Sequence, residues 1–290
     1  MQAAFARSVV ASARRPFALA SRAAFSSSAP AAPAFDLFTP TPEHAALRST
    51  VRAFAESAVA PQARAFDRDE RFNEPLFKRL GAELGLLGLT ADEAHGGSGM
   101  DAVAACIAHE ELAAADAGFC LSFLAHSLLF VNNLNVNGSA EQKARLLPRA
   151  CSGELLGGMG MSEPGSGTDV LGMATRAERV EGGAAFELSG SKMWITNGAR
   201  DDAQLGDAFL VYARTGGGAG AAGRYSLFIV ERGMTGFSLG QRIHGKCGMR
   251  ASPTAELVFD KVRLPAATHL VGEEGGALLC MMRNLEIERL

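Results

Sequence analysis

The sequence has few aromatic residues and almost no surplus of charge of either sign. Aromatic residues make up 7% of the 290 residues, and 28 Lys and Arg against 31 Asp and Glu leave a formal net charge of -3. A surface that binds nucleic acid needs a basic surplus, so no nucleic-acid partner is expected. The 48% hydrophobic and 20% charged residues are typical of a folded globular protein and exclude a disordered tail, a collagen and a coiled coil.

The spacing of cysteine and histidine excludes the common metal motifs. The five cysteines are odd in number, lie far apart and form no C-x-x-C pair, which argues against a disulfide framework and favours a reducing compartment. His109 and Glu110 begin an H-E-x-x-H motif, but Ala113 stands where the second histidine is needed. No metal site is therefore predicted.

A long hydrophobic run is also missing. No stretch reaches the roughly 18 uninterrupted apolar residues that indicate a transmembrane helix. The nearest candidate, residues 119–131, contains His126 and is interpreted as a buried helix. No membrane span is predicted.

Acidic residues are absent from the first 35 residues, where four arginines and a run of three serines stand among alanine and other small or apolar residues. An Arg-rich, Ser-rich and acid-poor N-terminus is typical of an organelle transit peptide. A disordered Ala-rich arm would have the same composition. The arginines are Arg7, Arg14, Arg15 and Arg22, and the serines are Ser26, Ser27 and Ser28.

The rest of the chain predicts an α+β protein. Leu47, Val51 and Phe54 begin a helical pattern in an all-helical N-terminal domain, residues 42–154. Residues 155–271 predict an antiparallel β-domain, and residues 274–290 predict the first helix of an incomplete C-terminal helical bundle, with Leu279, Met282 and Leu285 on one face. The β-prone runs are 186–188, 193–196, 209–212, 227–230 and 257–262.

One segment matches a dinucleotide-binding motif letter by letter but lies in the wrong structural context. Residues 218–223 match G-x-G-x-x-G but lie between two β-prone runs. A dinucleotide site needs the N-terminus of a following helix to hold the pyrophosphate. The segment is therefore interpreted as a hairpin connection.

Two other segments are more unusual. Residues 161–169, Met-Ser-Glu-Pro-Gly-Ser-Gly-Thr-Asp, could offer hydroxyl and backbone donors to a ligand, although a plain turn has the same composition. Residues 193–198 hold the only tryptophan, Trp194, in a β-prone run that ends in an Asn-Gly turn. A lone tryptophan in such a run is more often part of a core than the wall of a cofactor site.

Several short motifs, in order along the chain, resemble the acyl-CoA dehydrogenase family of flavoproteins, and its isovaleryl-CoA dehydrogenase-like branch most closely. The resemblance implies helical, β and helical-bundle domains, bound FAD and acyl-CoA, electron-transfer flavoprotein as redox partner, and a homotetramer. The transit peptide would then direct the enzyme to the mitochondrial matrix. The motifs are residues 96–99, 125–127, 138–143 with 147–148, 161–169, 192–198, 248–250 and 285–290.

The resemblance also implies the cofactor-binding residues. In the first flavin-contacting segment, Ser162 would hydrogen-bond the flavin ring and Thr168 would meet the CoA portion of the substrate. In the second, Trp194 would lie against the ring and Thr196 would donate near N5. The full expected set is Met159, Gly160, Met161, Ser162, Gly167, Thr168, Trp194, Ile195 and Thr196.

The expected catalytic base is Glu288. The reaction removes an α-proton and a β-hydride from a thioester, so it needs a carboxylate in a water-poor pocket. In the isovaleryl-type branch this carboxylate belongs to a helical L-[DE]-x-E-R motif, which residues 285–289 match. Glu286, Ile287 and Arg289 are expected at the substrate. A Glu-Arg pair on a solvated helix face remains the alternative.

Three further expectations concern the rest of the molecule. Members of the family continue for roughly another helical domain, so a chain ending at Leu290 is expected to be a fragment with the apolar face of its last helix uncovered. His126 is expected to be a core or pocket-wall residue, and Cys247 and Arg250 to be structural.

The expected function is formation of a trans-2-enoyl-CoA from a short or branched acyl-CoA. A flavin acyl-CoA oxidase and a non-catalytic acyl-CoA-binding module are the alternatives.

Overall fold

The computed structural model describes residues 36–216 and 224–289. The predicted transit peptide (1–35), the predicted hairpin connection (218–223) and Leu290 lie outside the described residues. The elements described below belong to one compact unit, Leu37–Leu290. Helices precede a β-sheet, and a further helix follows it, which confirms the predicted α+β class.

Polar side chains at the N-termini determine where several of the early helices begin. The side chains of Thr41, Asn73, Asp101 and Asp116 each accept a hydrogen bond from a first-turn amide, and Ser139 forms a capping box with Gln142. The helices are α1 (Pro42–Phe54), α2 (Ala60–Arg68), α3 (Glu74–Ala82), α4 (Ala102–Ala115), α5 (Ala117–Leu124), α6 (Asn133–Asn137) and α7 (Ala140–Cys151), with π-helical turns at Ala55–Val59 and Ala125–Asn132 and 3₁₀ turns at Leu86–Gly88 and Glu93–His95.

Helix α5, the second π-helical turn and α6 form one continuous helix, Ala117–Asn137. Within the described part of the chain it is the one helix long and apolar enough to cross a membrane by length and composition. However, 78% of its most apolar window is buried inside the protein, as in the core helix of a globular protein. It is therefore weak evidence for a membrane span.

The β-domain is one mainly antiparallel sheet, and all five β-prone runs of the sequence lie within its strands. The strands are β1 (Gly157–Gly160), β2 (Arg176–Val180), β3 (Ala185–Thr196), β4 (Ala208–Gly216), β5 (Arg224–Glu231), β6 (Phe237–Arg242), β7 (Thr254–Pro265) and β8 (Leu270–Val271). Their order in the sheet is β6-β7-β3-β2-β4-β5-β8, and β1 pairs with β4. Two pairs are parallel, β1 with β4 and β2 with β4, which the sequence pattern did not predict.

Both faces of the sheet carry apolar side chains. Successive residues of a strand point to opposite faces, and in β4 Leu210 and Tyr212 pack with α7 and the second π-helical turn, whereas Phe209 and Val211 pack in a second core with β3 and β7. A third core holds α1, α3, α4 and α5 together. The helical domain thus covers one face of the sheet.

After the short helix α8 (Ala266–His269), the chain ends in α9 (Ala277–Glu288). Its buried face consists of Ala277, Cys280 and Asn284, and the first two pack in the core shared with β4 and β5. Leu279 and Met282, on the predicted apolar face, are 56% and 58% exposed. Small residues therefore bring the first turns of α9 close to the sheet, and Leu279 and Met282 face outward.

Candidate active site

A cavity of about 390 Å³ lies where the β-domain, the second π-helical turn and α9 meet. Nine of the predicted site residues line it, although they come from three separate segments of the chain. The lining residues are Ala125, Leu129, Met159, Met161, Ser162, Thr168, Val170, Trp194, Ile195, Thr196, Met281, Leu285, Glu288 and Arg289.

The first segment consists of β1 and the loop that follows it. A Cβ added at Gly158 would lie 2.8 Å from the carbonyl oxygen of Thr196, so only glycine lets β1 approach β3 this closely. After the strand, the backbone N–H of Glu163 donates to the carbonyl of Ser166 at 2.9 Å, which closes a tight turn. The loop then contributes Ser162 and Thr168 to the cavity.

The second segment is a β-bulge near the end of β3. Lys192 pairs with Leu257 and Ile195 with Ala255, so β3 uses one residue more than β7 between these pairs. Trp194, inside the bulge, has a left-handed backbone with φ 61°. Such a conformation costs a non-glycine residue of the order of 1–3 kcal/mol and is kept only where the surroundings enforce it.

The bulge places the only tryptophan at the cavity instead of in a core. Trp194 is 55% exposed and lines the cavity beside Thr196. Within residues 36–216 and 224–289, neither the Ser162 nor the Thr196 hydroxyl has a hydrogen-bond partner. The cavity wall therefore offers one large aromatic surface and two free hydroxyl donors.

Glu288 contributes the carboxylate of the cavity, at the end of α9. Its side chain is 10% exposed, and its Oε1 lies 3.7 Å from Nε of Arg289. Burial raises the pKa of Glu288, and Arg289 and a hydrogen bond from Asn284 oppose the rise without cancelling it. A carboxylate with a raised pKa in an apolar pocket is suited to take up a proton.

A chain of buried polar side chains supports this carboxylate. Nδ2 of Asn284 donates to Oε2 of Glu288 at 3.1 Å, and Oδ1 of Asn284 accepts from Nδ2 of Asn132 at 3.1 Å. Oδ1 of Asn132 in turn accepts from the hydroxyl of Thr90 at 2.9 Å. Glu288 is thereby connected to the helical domain, far away in sequence.

Four predicted site residues do not line the cavity. Gly160 is buried in β1 and Gly167 has open space around its Cα. Glu286 is exposed, and Ile287 packs against the core of the helical domain. Their binding roles stay predictions.

Five lining residues were missed by the sequence interpretation. Met281 and Leu285 precede Glu288 by seven and three residues, so helical spacing could have placed them on the same face. Ala125 and Leu129 are one helical turn apart in the same way. Val170 begins a 3₁₀ turn (Val170–Gly172), and no local pattern identifies it. All five line the cavity.

His126 is a structural residue of the core, not an acid of the cavity. It is fully buried, Nε2 donates to the carbonyl of Ala150 at 3.0 Å, and Nδ1 accepts from the amide of Gly157 at 3.0 Å. Burial lowers its pKa to about 4. The ring is therefore neutral at pH 7 and fixes the start of β1 against α7.

Arg250 is also structural, as expected. Its guanidinium donates to Oε1 of Glu70 at 2.7 Å, and its amide donates to Oδ1 of Asp67 at 2.8 Å. These bonds hold the loop before β7 against the end of α2. Cys247, in the same loop, is an exposed free thiol.

Two domains of a known protein family match most of the chain. The acyl-CoA dehydrogenase N-terminal domain matches residues 41–154, and the acyl-CoA dehydrogenase middle domain matches residues 158–262. The chain belongs to the acyl-CoA dehydrogenase family. This confirms the resemblance inferred from the sequence motifs, and the family is one of oxidoreductases.

Individual relatives support the same assignment. The chain is 42% identical to the mitochondrial isovaleryl-CoA dehydrogenase of Arabidopsis thaliana over 245 residues, which are 84% of this chain and 57% of the relative. Butyryl-CoA dehydrogenase from Megasphaera elsdenii superposes with a TM-score of 0.78 at 32% identity, over 86% of this chain and 63% of the other.

An acyl-CoA dehydrogenase from Bacillus anthracis, solved in complex with FAD, superposes with a TM-score of 0.76 at 32% identity, over 86% of this chain and 40% of the other. The chain thus spans less than two thirds of the length of these relatives.

Proposed function

We propose that this chain contributes the helical domain, the β-domain and the base-bearing helix of an FAD-dependent acyl-CoA dehydrogenase. The enzyme oxidises a short or branched acyl-CoA to a trans-2-enoyl-CoA. The observation that carries the proposal is the shared cavity, in which Trp194, two free hydroxyls and a carboxylate of raised pKa meet. The proposed domain boundaries are 42–154, 155–271 and 274–290.

The residues of the cavity fit a flavin. Trp194 offers a half-exposed aromatic face, and the hydroxyls of Ser162 and Thr196 have no partner within the described ranges. When bound, FAD supplies the acceptor for the β-hydride. Ser162 and Thr196 then donate hydrogen bonds to the flavin ring, where preorganised donors stabilise negative charge better than mobile water does. Met159, Met161 and Ile195 complete the apolar wall.

Glu288 performs the proton transfer in this proposal. The α-C–H bond of the thioester breaks, its proton passes to the Glu288 carboxylate, and the electron pair forms the new double bond as the β-hydride leaves. The apolar neighbours Met281 and Leu285 exclude water from this side of the cavity. Exclusion of water raises the pKa of the carboxylate, so its ionised form accepts the α-proton more readily.

The remaining parts of the proposal rest on the relatives and on the sequence. The mitochondrial isovaleryl-CoA dehydrogenase and the acid-poor N-terminus support a mitochondrial matrix enzyme of branched-chain substrates. By the same family resemblance, Thr168 and Arg289 contact the CoA ester, electron-transfer flavoprotein accepts the electrons, and the whole protein is a homotetramer.

The test uses the purified 290-residue chain mixed with FAD. We expect a protein-bound flavin spectrum after removal of free FAD, and bleaching of the visible flavin band when isovaleryl-CoA is added without oxygen. Butyryl-CoA serves as the unbranched comparison. A chain that retains no flavin, or whose bound flavin is not bleached by any acyl-CoA, would contradict the proposal for this polypeptide.

A second measurement separates a dehydrogenase from an oxidase. After substrate reduction, air is admitted and the return of the flavin band is followed. Slow reoxidation that becomes fast on addition of electron-transfer flavoprotein supports the dehydrogenase. Fast reoxidation by oxygen alone contradicts it.

A further inference from the structure

Lys192 is an unusual residue because its whole side chain is buried, with 0% of its surface exposed. Lysine is almost never fully buried unless its ammonium group is paired. Here Nζ donates to Oε1 of Glu163 at 2.8 Å, to the carbonyl of Met161 at 3.0 Å and to Sδ of Met173 at 3.8 Å. All three ammonium hydrogens can therefore be used.

Glu163 is just as completely satisfied. Besides Lys192, its carboxylate accepts from the amide of Thr175 at 3.0 Å and from the amide of Ala174 at 2.6 Å. Burial would raise the pKa of Glu163, but these donors outweigh burial and hold that pKa below its usual value. The carboxylate is therefore a fixed negative charge.

The pair joins three segments of the chain. Met161 to Glu163 belong to the loop after β1, Met173 to Thr175 precede β2, and Lys192 lies in β3. A backbone bond from the amide of Met193 to the carbonyl of Ser162, at 2.9 Å, lies directly beside the pair. The two cavity-lining segments are thus fastened to each other at this point.

Lys192 is also at one end of the bulge that contains Trp194. The regular pairing of β3 with β7 stops at Lys192 and resumes at Ile195. On the far side, the fully buried Asn197 donates to the carbonyls of Ser122 and Gly157 at 2.9 and 3.0 Å. A strained residue needs such fixed ends, because otherwise the backbone would relax to a common conformation.

We propose that the buried Lys192–Glu163 pair is a clamp that holds Trp194 in its strained bulge and fixes the wall of the cavity. Lys192 and Glu163 are positioning residues, because they act through Met161, Ser162 and Trp194 without lining the cavity themselves. The clamp can be tested without a ligand. Its consequence for flavin binding rests on the proposed function.

The single tryptophan of the chain provides the readout. Because Trp194 is the only indole, time-resolved fluorescence anisotropy reports the motion of this residue alone. In the wild type we expect the indole to rotate with the whole protein. In Lys192→Met we expect the indole to reorient locally within picoseconds to nanoseconds, and this motion should account for most of the decay of the anisotropy.

A matched control separates the clamp from general loss of stability. Leu188→Ala removes a fully buried side chain from the same strand, in the second core of the sheet, and is expected to destabilise the protein. Trp194 should remain rigid in this variant under conditions where it is folded. If Leu188→Ala loosens Trp194 as much as Lys192→Met does, the clamp is contradicted.

A second variant covers the possibility that Lys192→Met does not fold. Glu163→Gln combined with Lys192→Met removes both buried charges, which is less costly than leaving one unpaired. The double variant should regain stability but keep a mobile Trp194, because the bond from Lys192 to Met161 is still missing. A rigid Trp194 in the folded double variant would overturn the proposal.

The affinity for FAD provides a second, independent test of the clamp. In Lys192→Met the bulge around Trp194 is mobile and must become ordered again when FAD binds, which costs free energy. The dissociation constant of FAD should therefore rise roughly 5- to 150-fold in this variant. An unchanged constant would contradict the clamp. If the wild type binds no FAD while Trp194 still becomes mobile in the variant, the clamp is supported and the proposed function fails for this chain.

Discussion

The loop after β1 and the end of α9 each bury one glutamate, and their surroundings push the two pKa values in opposite directions. The Glu163 carboxylate accepts from Lys192 and from two backbone amides, and its pKa is lowered. Glu288 accepts from one amide side chain, with Arg289 at 3.7 Å, and its pKa is raised. Burial acts against ionisation in both cases, so the number and charge of the donors decide the outcome.

This difference separates a structural charge from a chemical one. A carboxylate whose pKa is lowered by three close donors is a poor proton acceptor, whereas the raised pKa of Glu288 suits it to take up a proton. The following predictions test the comparison by changing one glutamate or its partners at a time.

The largest expected effect is on flavin reduction in Glu288→Gln. If Glu288 is the base, its loss should slow substrate reduction of the flavin by about 10²- to 10⁴-fold, the usual contribution of general-base catalysis. Flavin binding should be retained, because Glu288 belongs to α9 and not to the two segments proposed to contact the flavin. Stopped-flow absorbance measures the rate, with Glu141→Gln, on the exposed face of α7, as a matched control. A rate equal to the wild type would mean that the base lies elsewhere.

The second effect concerns stability and the fixed charge. Glu163→Gln leaves the ammonium of Lys192 buried without a counter-charge, so the free energy of unfolding should fall by about 3–5 kcal/mol. Urea unfolding followed by circular dichroism measures it. Since the pKa of Glu163 is lowered on folding, its stabilising effect is present above the unfolded pKa and is lost as the pH falls through the folded pKa. The variant and the wild type should therefore converge in acid.

Much of this comparison could not be predicted from the sequence. Helical and β-prone patterns predicted the fold class, and short motifs predicted Ser162, Thr196 and Glu288 as site residues, because those signals are local. All three line the cavity. The partners of the glutamates are not local. Glu163 and Lys192 are 29 residues apart, and Asn132 and Asn284 are 152 residues apart. The pairing follows from strand order and helix packing, which side-chain spacing does not encode, as the unpredicted parallel strands also illustrate.

The third effect is a shift of the pH profile in Asn284→Leu. Nδ2 of Asn284 is the one side-chain donor to Glu288 within the described ranges, and its hydrogen bond opposes the rise in the pKa of Glu288. Loss of this donor should therefore raise that pKa further. The base must be ionised, so flavin reduction increases with pH through this pKa, and its acidic limb should move to higher pH. Arg289 and Tyr212 are titratable groups that interact electrostatically with Glu288.

Asn137→Leu is the control for this shift, because Asn137 bonds to Asn133 and the carbonyl of Cys280 but not to Glu288. The Asn137→Leu variant should lose some stability, while the pH profile of its flavin reduction stays unchanged. If both variants shift the profile equally, the effect comes from a general loosening of α9, and the specific role of Asn284 is rejected.

The smallest effect has the opposite sign to the second. Folding raises the pKa of Glu288, so the folded state binds its proton more tightly, and stability decreases as the pH rises from the unfolded to the folded pKa. At neutral pH, where the charge is buried at some cost, Glu288→Gln should therefore stabilise the ligand-free chain, by about 1 kcal/mol or less after allowance for solvent screening. Urea unfolding of both glutamine variants at pH 7 gives the comparison directly. If Glu288→Gln destabilises the protein as Glu163→Gln does, then Glu288 is a paired structural charge, and its assignment as the base loses its physical basis.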